Sequence, residues 1–263
     1  MGFVVFGFFD ETGTHAGHPL TAVGGFVFDQ AGLDHFEREW RTRTAELTEP
    51  FHAVDCFGGY KQFESWPKPQ RLILMHDLAE IIVKNRVCGI FAFLKDEDYT
   101  QFSAENPEQA TWVGSPYTCC LMKCVDIGAS VAHQSNFNEM NYIFAAGAAE
   151  QEEAARFMAR IDGYAGLKNH LRIGAYGFST PWKEPALCAA DFFVWEWQRN
   201  YTEDLTWGDA RSEFKVLMPN PTQIYVQRLN VEGLLGQAMA NAIHGVHLAN
   251  ERDGASAAQS SET

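Results

Sequence analysis

The amino-terminal part of the chain is an almost uninterrupted apolar run, Gly2–Phe9, that leads directly into Asp10 and Glu11. The run has the length of a strand and lacks a basic segment, so it predicts a buried β-strand and not a secretion signal. Two carboxylates at the end of a buried strand must be solvated, paired or given a cation, because burying an uncompensated charge is costly. Hard divalent ions such as Mg2+ and Mn2+ prefer these oxygen ligands. The alternative is a solvated turn, since Asp and Gly are ordinary turn residues.

The rest of the pattern predicts one α/β domain with a mixed sheet flanked by helices. A turn over 11–19 and a second apolar run over 20–28 predict an antiparallel hairpin with the first strand. We expect a strand or loop over 51–57, an irregular segment over 99–113, further strands over 87–94, 140–145 and 171–178, and helices over 33–47, 68–86, 117–133, 151–161, 185–200 and 231–250. This domain is expected to span residues 1–253, followed by a disordered tail over 254–263.

Composition limits the function classes. The 263 residues include 20 Lys and Arg against 34 Asp and Glu, a net charge of −14 that disfavours indiscriminate binding to nucleic acids or anionic membranes. No segment approaches the roughly 18–20 apolar residues of a membrane-spanning helix. The six cysteines show no disulfide framework, and buried thiols are favoured over zinc binding through Cys120 and Cys124. We therefore expect a cytoplasmic protein, with a homodimer through the apolar helices 117–133 and 185–197 left open.

A second carboxylate, Asp191, lies in the apolar segment Ala189–Trp195. An acid flanked by apolar residues over two helical turns is either a structural acid, bonded to a backbone amide or an arginine, or part of a carboxylate cluster that binds metal. One acid on the first strand and one on a late helix, facing a common cleft, is the layout of an RNase H-like site. Motifs for P-loop, Rossmann and α/β-hydrolase chemistry are absent from the sequence.

Four features together resemble the domain of unknown function 3800 family: the DETG turn at 10–13, the Gly-rich strand after it, His52 on the predicted third strand, and Asp191 in its Ala-Asp helix. The resemblance covers about Val4–Asn200. The family is assigned an RNase H-like fold and is expected to contain metal-dependent nucleases. The resemblance therefore implies a hydrolase of phosphodiester bonds in DNA or RNA, with Mg2+ or Mn2+ as its cofactor.

The resemblance also implies roles for individual residues. Asp10, Glu11 and Asp191 match acids that would hold the metal, and His52 matches a recurring histidine that completes the catalytic set, with Asp55 able to assist it. For His52 the alternative is a core histidine bonded to backbone. Two further side chains are candidates for contacts with substrate phosphates, namely His15 and Lys61. Tryptophans that could stack on bases, although core packing is the commoner role, are Trp182, Trp195, Trp197 and Trp207.

The sequence departs from the family at Ala145. Relatives tend to read Phe-Glu-Ala-Gly where this chain has Phe144–Gly147, and the missing acid would help to hold the metals. The chain is then either a natural non-catalytic member of the family or a protein with an engineered Glu→Ala replacement. The otherwise intact acids favour the engineered replacement. Glu150 follows, but its spacing argues against compensation. Alternatives to a weakened nuclease are a non-catalytic RNase H-like binding or scaffold protein and a hydrolase of small nucleotides.

Overall fold

The computed structural model describes residues 3–13, 18–203, 210–218 and 223–243. In this part of the chain, helices flank a six-stranded mixed sheet with strand order β5-β4-β1-β2-β3-β6. The strands are β1 (Val4–Thr12), β2 (Leu20–Asp29), β3 (Cys88–Lys95), β4 (Glu139–Ala145), β5 (Ile173–Ser179) and β6 (Ile224–Leu229). The helices are α1 (Gln30–Arg43), α2 (Ala53–Gly58), α3 (Lys68–Asn85), α4 (Asp96–Glu105), α5 (Pro107–Val113), α6 (Pro116–Gln134), α7 (Gln151–Gly163), α8 (Ala165–His170), α9 (Ala186–Thr202), α10 (Ser212–Leu217) and α11 (Val231–Ile243).

The strand connections define the fold class. β1, β2 and β3 form an antiparallel meander, and β4 then pairs in parallel with β1 on the other side. β5 continues the sheet parallel to β4, and β6 adds a parallel strand to the edge of β3. A meander followed by two parallel strands next to β1 is the RNase H-like topology, so the predicted fold class is confirmed.

Side chains of the central strands alternate between two cores, as the pleat of a strand requires. Phe9 and Phe144 pack in the core beneath α6. Phe8 and Ala145 belong to the opposite core, which is closed by α1, α3 and α9. Helix α9 packs directly on β1 and β2. Because Asp10 follows Phe8 by two positions on β1, its side chain continues the face that α9 covers.

The turn after the first strand depends on a glycine. Gly13 has φ 74°, a left-handed conformation that glycine adopts without strain. A Cβ at this position would also collide with the carbonyl oxygen of Leu20, where β2 begins. The glycine of the DETG sequence therefore allows β1 to continue through Thr12 before the chain turns, which places Asp10 inside the sheet and not in the turn.

Three sequence-based expectations were wrong. The segment over 51–57 is neither strand nor loop, because α2 begins at Ala53 directly after His52. The segment over 99–113 is helical, in α4 and α5, where Pro107 occupies the first turn that tolerates proline. Strand β6 was missed because it is a short edge strand in which only Ile224 and Leu229 are buried.

Other expectations have clear outcomes. All six cysteines are buried and none forms a disulfide, as predicted. No helix in the described ranges is both long enough and apolar enough to cross a bilayer. The tail predicted over 254–263, and the last part of the helix predicted over 231–250, lie outside the described residues.

Candidate active site

Asp10 lies near the carboxyl end of β1, next to the parallel strand β4. Phe9 is aligned with Phe144 across these strands, so the positions that follow, Asp10 and Ala145, are also neighbours. The backbone N–H of Glu11 donates a hydrogen bond of 2.8 Å to Asp10 Oδ1. This local bond orients one oxygen of the Asp10 carboxylate, and the Glu11 carboxyl group lies within hydrogen-bonding range of the same side chain.

Asp191 reaches the same end of the sheet from α9. The α9 residues on either side of Asp191 are buried, and the Asp191 side chain keeps only 17% of its surface exposed. The backbone N–H of Ala53 donates a 2.8 Å hydrogen bond to Asp191 Oδ2, and His52 Nε2 lies 3.5 Å from Oδ1. The amino-terminal end of α2 therefore holds the carboxylate, which the interpretation of 51–57 as a strand or loop did not foresee.

The carboxylates face one another with little compensation. Burial raises the pKa of Asp10 well above its ordinary value, and the charges of Asp191 and Glu11 raise it further. Burial also raises the pKa of Glu11 and of Asp191, although the positive charge of His52 opposes the shift at Asp191. Among the residues that the structure describes, His52 is the only basic side chain in an ion pair with any of these acids. Three like charges therefore share a poorly solvated space.

A chain of polar contacts fixes His52. Its Nδ1 lies 3.0 Å from Asp55 Oδ2, and Lys61 Nζ donates to the same oxygen at 2.9 Å. Burial acts to raise the pKa of Asp55, but the hydrogen bonds from Lys61 and His52 outweigh it and leave that pKa below its ordinary value. An ionised Asp55 on Nδ1 turns Nε2 of the imidazole toward Asp191, as the predicted assistance from Asp55 requires.

Glu150, directly before α7, is a fourth acid, which its spacing from Ala145 led us to expect not to compensate for the missing acid. Its charge contributes to the raised pKa of Glu11, so the two carboxylates lie within electrostatic range of each other. One of its oxygens, Oε2, is buried without a hydrogen-bond partner. The connection from β4 to α7 therefore brings Glu150 within electrostatic range of Glu11, and the expectation that it does not compensate for Ala145 stays a prediction.

These acids have the chemistry that a hard divalent cation needs. Carboxylate oxygens are the preferred ligands, and the uncompensated charge together with the orphaned oxygen of Glu150 favours a bound cation. Ligand atoms of Asp10, Glu11 and Asp191 do not all lie within 4.8 Å of one another, so one ion cannot bind all three without a movement of side chains. In the described ranges only one group meets that distance, His76, Asp77 and Glu80 on the surface of α3.

The remaining predicted site residues divide by location. Ala145 is buried beside Asp10 on the face that α9 covers, so the position lacking an acid belongs to this site. Lys61 is engaged by Asp55 at the edge of the site. His15 and Trp207 lie outside the described residues. A cleft of about 340 Å3 between α6, α8 and α11 contains none of the predicted residues.

Comparison with known proteins adds no family to this description. No protein-family model matches the chain, and a search of curated proteins finds no match to its sequence. We therefore infer the function of the protein from its fold and from the geometry at the end of β1.

Proposed function

We propose that this protein is a divalent-metal-dependent nuclease of the RNase H-like class, weakened by the alanine at position 145. The observation that carries the proposal is the approach of two poorly solvated carboxylates, Asp10 and Asp191, from the first strand and the last long helix of this topology. A proton or a cation must balance such a pair, and oxygen ligands select Mg2+ or Mn2+.

Four acids would hold the metal, namely Asp10, Glu11, Glu150 and Asp191. When bound, divalent ions supply an activated water and stabilise the attacking and leaving oxygens of a phosphodiester. His52 is placed to carry a proton at Nε2, because Asp55 fixes its other nitrogen and Asp191 lies 3.5 Å from Nε2. Lys61 lies one contact farther out and would meet a neighbouring phosphate.

The experiment compares the chain with its Ala145→Glu variant in Mn2+-dependent cleavage of labelled DNA and RNA. The variant adds a carboxylate beside Asp10 on the face that α9 covers, and we expect it to cut a substrate that the parent cuts slowly or not at all. Asp10→Ala in the Ala145→Glu background should abolish cutting. Ala146→Glu is the matched control, because Ala146 is exposed and a carboxylate there should not restore activity.

A second candidate function follows from the same alanine. A site with Asp10 and Asp191 but no acid at position 145 favours a protein that binds nucleic acid without cutting it. Binding of DNA or RNA by both chains, with no cleavage by Ala145→Glu, would support this non-catalytic role. Cleavage of mononucleotides but not polynucleotides would instead support the hydrolase of small nucleotides. Absence of cutting together with absence of Mn2+ binding would make the acids structural.

A further inference from the structure

A second cleft, of about 260 Å3, lies between α1, the segment before α2 and the start of α9. Six of the thirteen residues that line it are aromatic or proline, namely Trp40, Pro50, Phe51, Pro181, Trp182 and Pro185, and the others include Arg41 and Glu49. Its volume is just below the roughly 300–1,000 Å3 of sites that enclose drug-sized ligands. A cleft of this size and lining fits a single flat ring system.

Two buried residues at the inner wall of the cleft, Phe51 and Cys188, lie next to residues of the candidate active site. Phe51 on its inner wall immediately precedes His52, and Cys188 lies one helical turn before Asp191 on α9. Burial raises the pKa of the Cys188 thiol, and the charges of Asp191 and Asp10 raise it further. The cleft therefore lies close to the acids, with the side chains of Phe51 and Cys188 between them.

Trp182 is available for contact in a way that Trp195 and Trp197 are not. It is 68% exposed, in the connection between β5 and α9. Trp197 stacks on Phe91 with ring centroids 4.9 Å apart, and Trp195 packs against Phe57 at 5.3 Å. Of the tryptophans proposed for base stacking, the described structure leaves the ring of Trp182 open at the rim of a cleft.

Polar groups around the cleft are largely committed within the protein. The backbone N–H groups of Thr48 and Glu49 donate to Gln62 Oε1 at 3.0 and 3.1 Å. Gln62 Nε2 donates to the carbonyl oxygens of Glu49 and Pro50, and Thr44 Oγ1 donates to the carbonyl oxygen of Trp40. The exposed side chains of Arg41 and Glu49 also line the cleft, so a ligand meets the ring of Trp182 together with one charged group of each sign.

We infer that this cleft binds one unstacked nucleobase of the substrate strand, next to the phosphodiester at the acids, by stacking on Trp182. The inference rests on the proposed function and names its substrate as nucleic acid that is single-stranded at least where it enters the cleft. Every base has a π-face, so stacking without edge contacts gives little preference among the four bases. Base pairing would hide the ring from Trp182, so a duplex should bind less tightly than a single strand.

The test measures the affinity of labelled single-stranded DNA and RNA by fluorescence anisotropy in Mg2+, using the chain with Ala145 so that binding is not followed by rapid cutting. Trp182→Ala should weaken binding roughly tenfold, since stacking on an aromatic residue contributes on that order per base. Trp182→Phe should retain most of the affinity. Tyr164→Ala, which removes a 49% exposed aromatic at the junction of α7 and α8, should leave it unchanged.

An abasic position moved along the oligonucleotide identifies the base concerned. At one position, loss of the base should weaken binding to the parent but not to Trp182→Ala, because each change removes the same contact. Equal losses for both proteins at every position, or unchanged affinity in Trp182→Ala, would overturn the inference about the cleft while leaving the nuclease proposal intact. Failure of every protein to bind either strand in Mg2+ would overturn both.

Discussion

Helix α9 carries two buried carboxylates, Asp191 and Glu196, in opposite electrostatic settings. Glu196 has no exposed surface and lies 3.5 Å from Arg211, which also pairs with Glu213 at 3.2 Å. Asp191 instead faces Asp10, and among the described residues its only ion pair is with His52. Burial raises the pKa of both acids, to about 7 for Glu196.

The difference shows what each region requires. At Glu196 the protein supplies its own cation, a guanidinium that also lies over the ring of Phe57 at 4.3 Å. At Asp191 and Asp10 the described residues supply little positive charge, so the balance must come from protons or from a bound ion. Glu196 therefore has a guanidinium beside it but, among the described residues, no hydrogen bond to either oxygen, whereas Asp191 accepts a hydrogen bond from Ala53 and faces a second acid.

Removing the guanidinium of Arg211 should have the largest effect on the free energy of unfolding. Arg211→Met leaves Glu196 and Glu213 buried without their cation, and we expect the free energy of unfolding to fall by about 3 kcal/mol at pH 8. The loss should be smaller at pH 5, where Glu196 can take up a proton. Urea unfolding at both pH values measures it, and Arg41→Met, an arginine in an exposed pair with Glu37, is the control. Equal losses for the two variants would remove the distinction between the regions.

Neutralising Glu196 should change the pH dependence of stability. The folded protein keeps this proton up to about pH 7, whereas the unfolded chain releases it near the ordinary pKa of 4.5. The folded state therefore binds more protons between these values, and this contribution to stability is lost as the pH rises. Relative to the parent, Glu196→Gln should gain about 3 kcal/mol between pH 4.5 and pH 8.

The control for this measurement is Glu64→Gln, since Glu64 is exposed. Its difference from the parent should stay constant across the same pH range. If the stability difference between Glu196→Gln and the parent is also constant with pH, Glu196 titrates like an exposed carboxylate. Arg211 would then offset the whole effect of burial on its pKa.

Asp10→Asn should stabilise the metal-free protein by about 1 kcal/mol at neutral pH, because it removes one of the facing charges. The amide oxygen can still accept the hydrogen bond from the backbone N–H of Glu11. The gain should disappear as the pH falls below the ordinary Asp pKa of 3.8, where the folded and unfolded forms of the parent are both protonated. Thermal unfolding in a chelator follows it, and a loss of stability at pH 7 would mean that Asp10 is a structural acid.

The smallest effect is expected at Lys61, whose ammonium is 63% exposed and pairs with Asp55. Lys61→Met should leave stability unchanged, since exposed pairs contribute little. If Lys61 contacts a phosphate, the slope of log affinity for DNA against log salt should fall by about 1. An unchanged slope would confine Lys61 to the positioning of Asp55 and His52.

The sequence predicts those features of the fold and site that depend on the local pattern of apolar residues. The apolar run before Asp10 and the apolar helix around Asp191 were recognisable from periodicity, and the order of elements indicated the sheet topology. His52 was assigned to a strand or loop because an apolar segment as short as 51–57 reads alike in strand and helix. Tertiary contacts decided the outcome there, since the start of α2 binds Asp191.

The remaining features depend on folding alone. Glu150 joins the acids through the path of the chain after β4, and no spacing rule relates it to Glu11. Arg211 reaches Glu196 from α10, a different element, so neither residue signals the other in the sequence. The exposure of Trp182 likewise follows from its position in the connection between β5 and α9. Its residue type alone predicts the opposite, because tryptophan side chains are highly buried on average.

The most direct test of the central claim is Mn2+ binding measured by calorimetry on the parent, Asp10→Asn, Asp191→Asn and Asp77→Asn. The last variant changes the compact His76, Asp77 and Glu80 group on α3, the rival site for an ion. We expect the parent and Asp77→Asn to bind Mn2+ saturably. We expect Asp10→Asn and Asp191→Asn to lose this binding. Binding that survives both of those substitutions, or that only Asp77→Asn removes, would contradict a metal site at the end of β1.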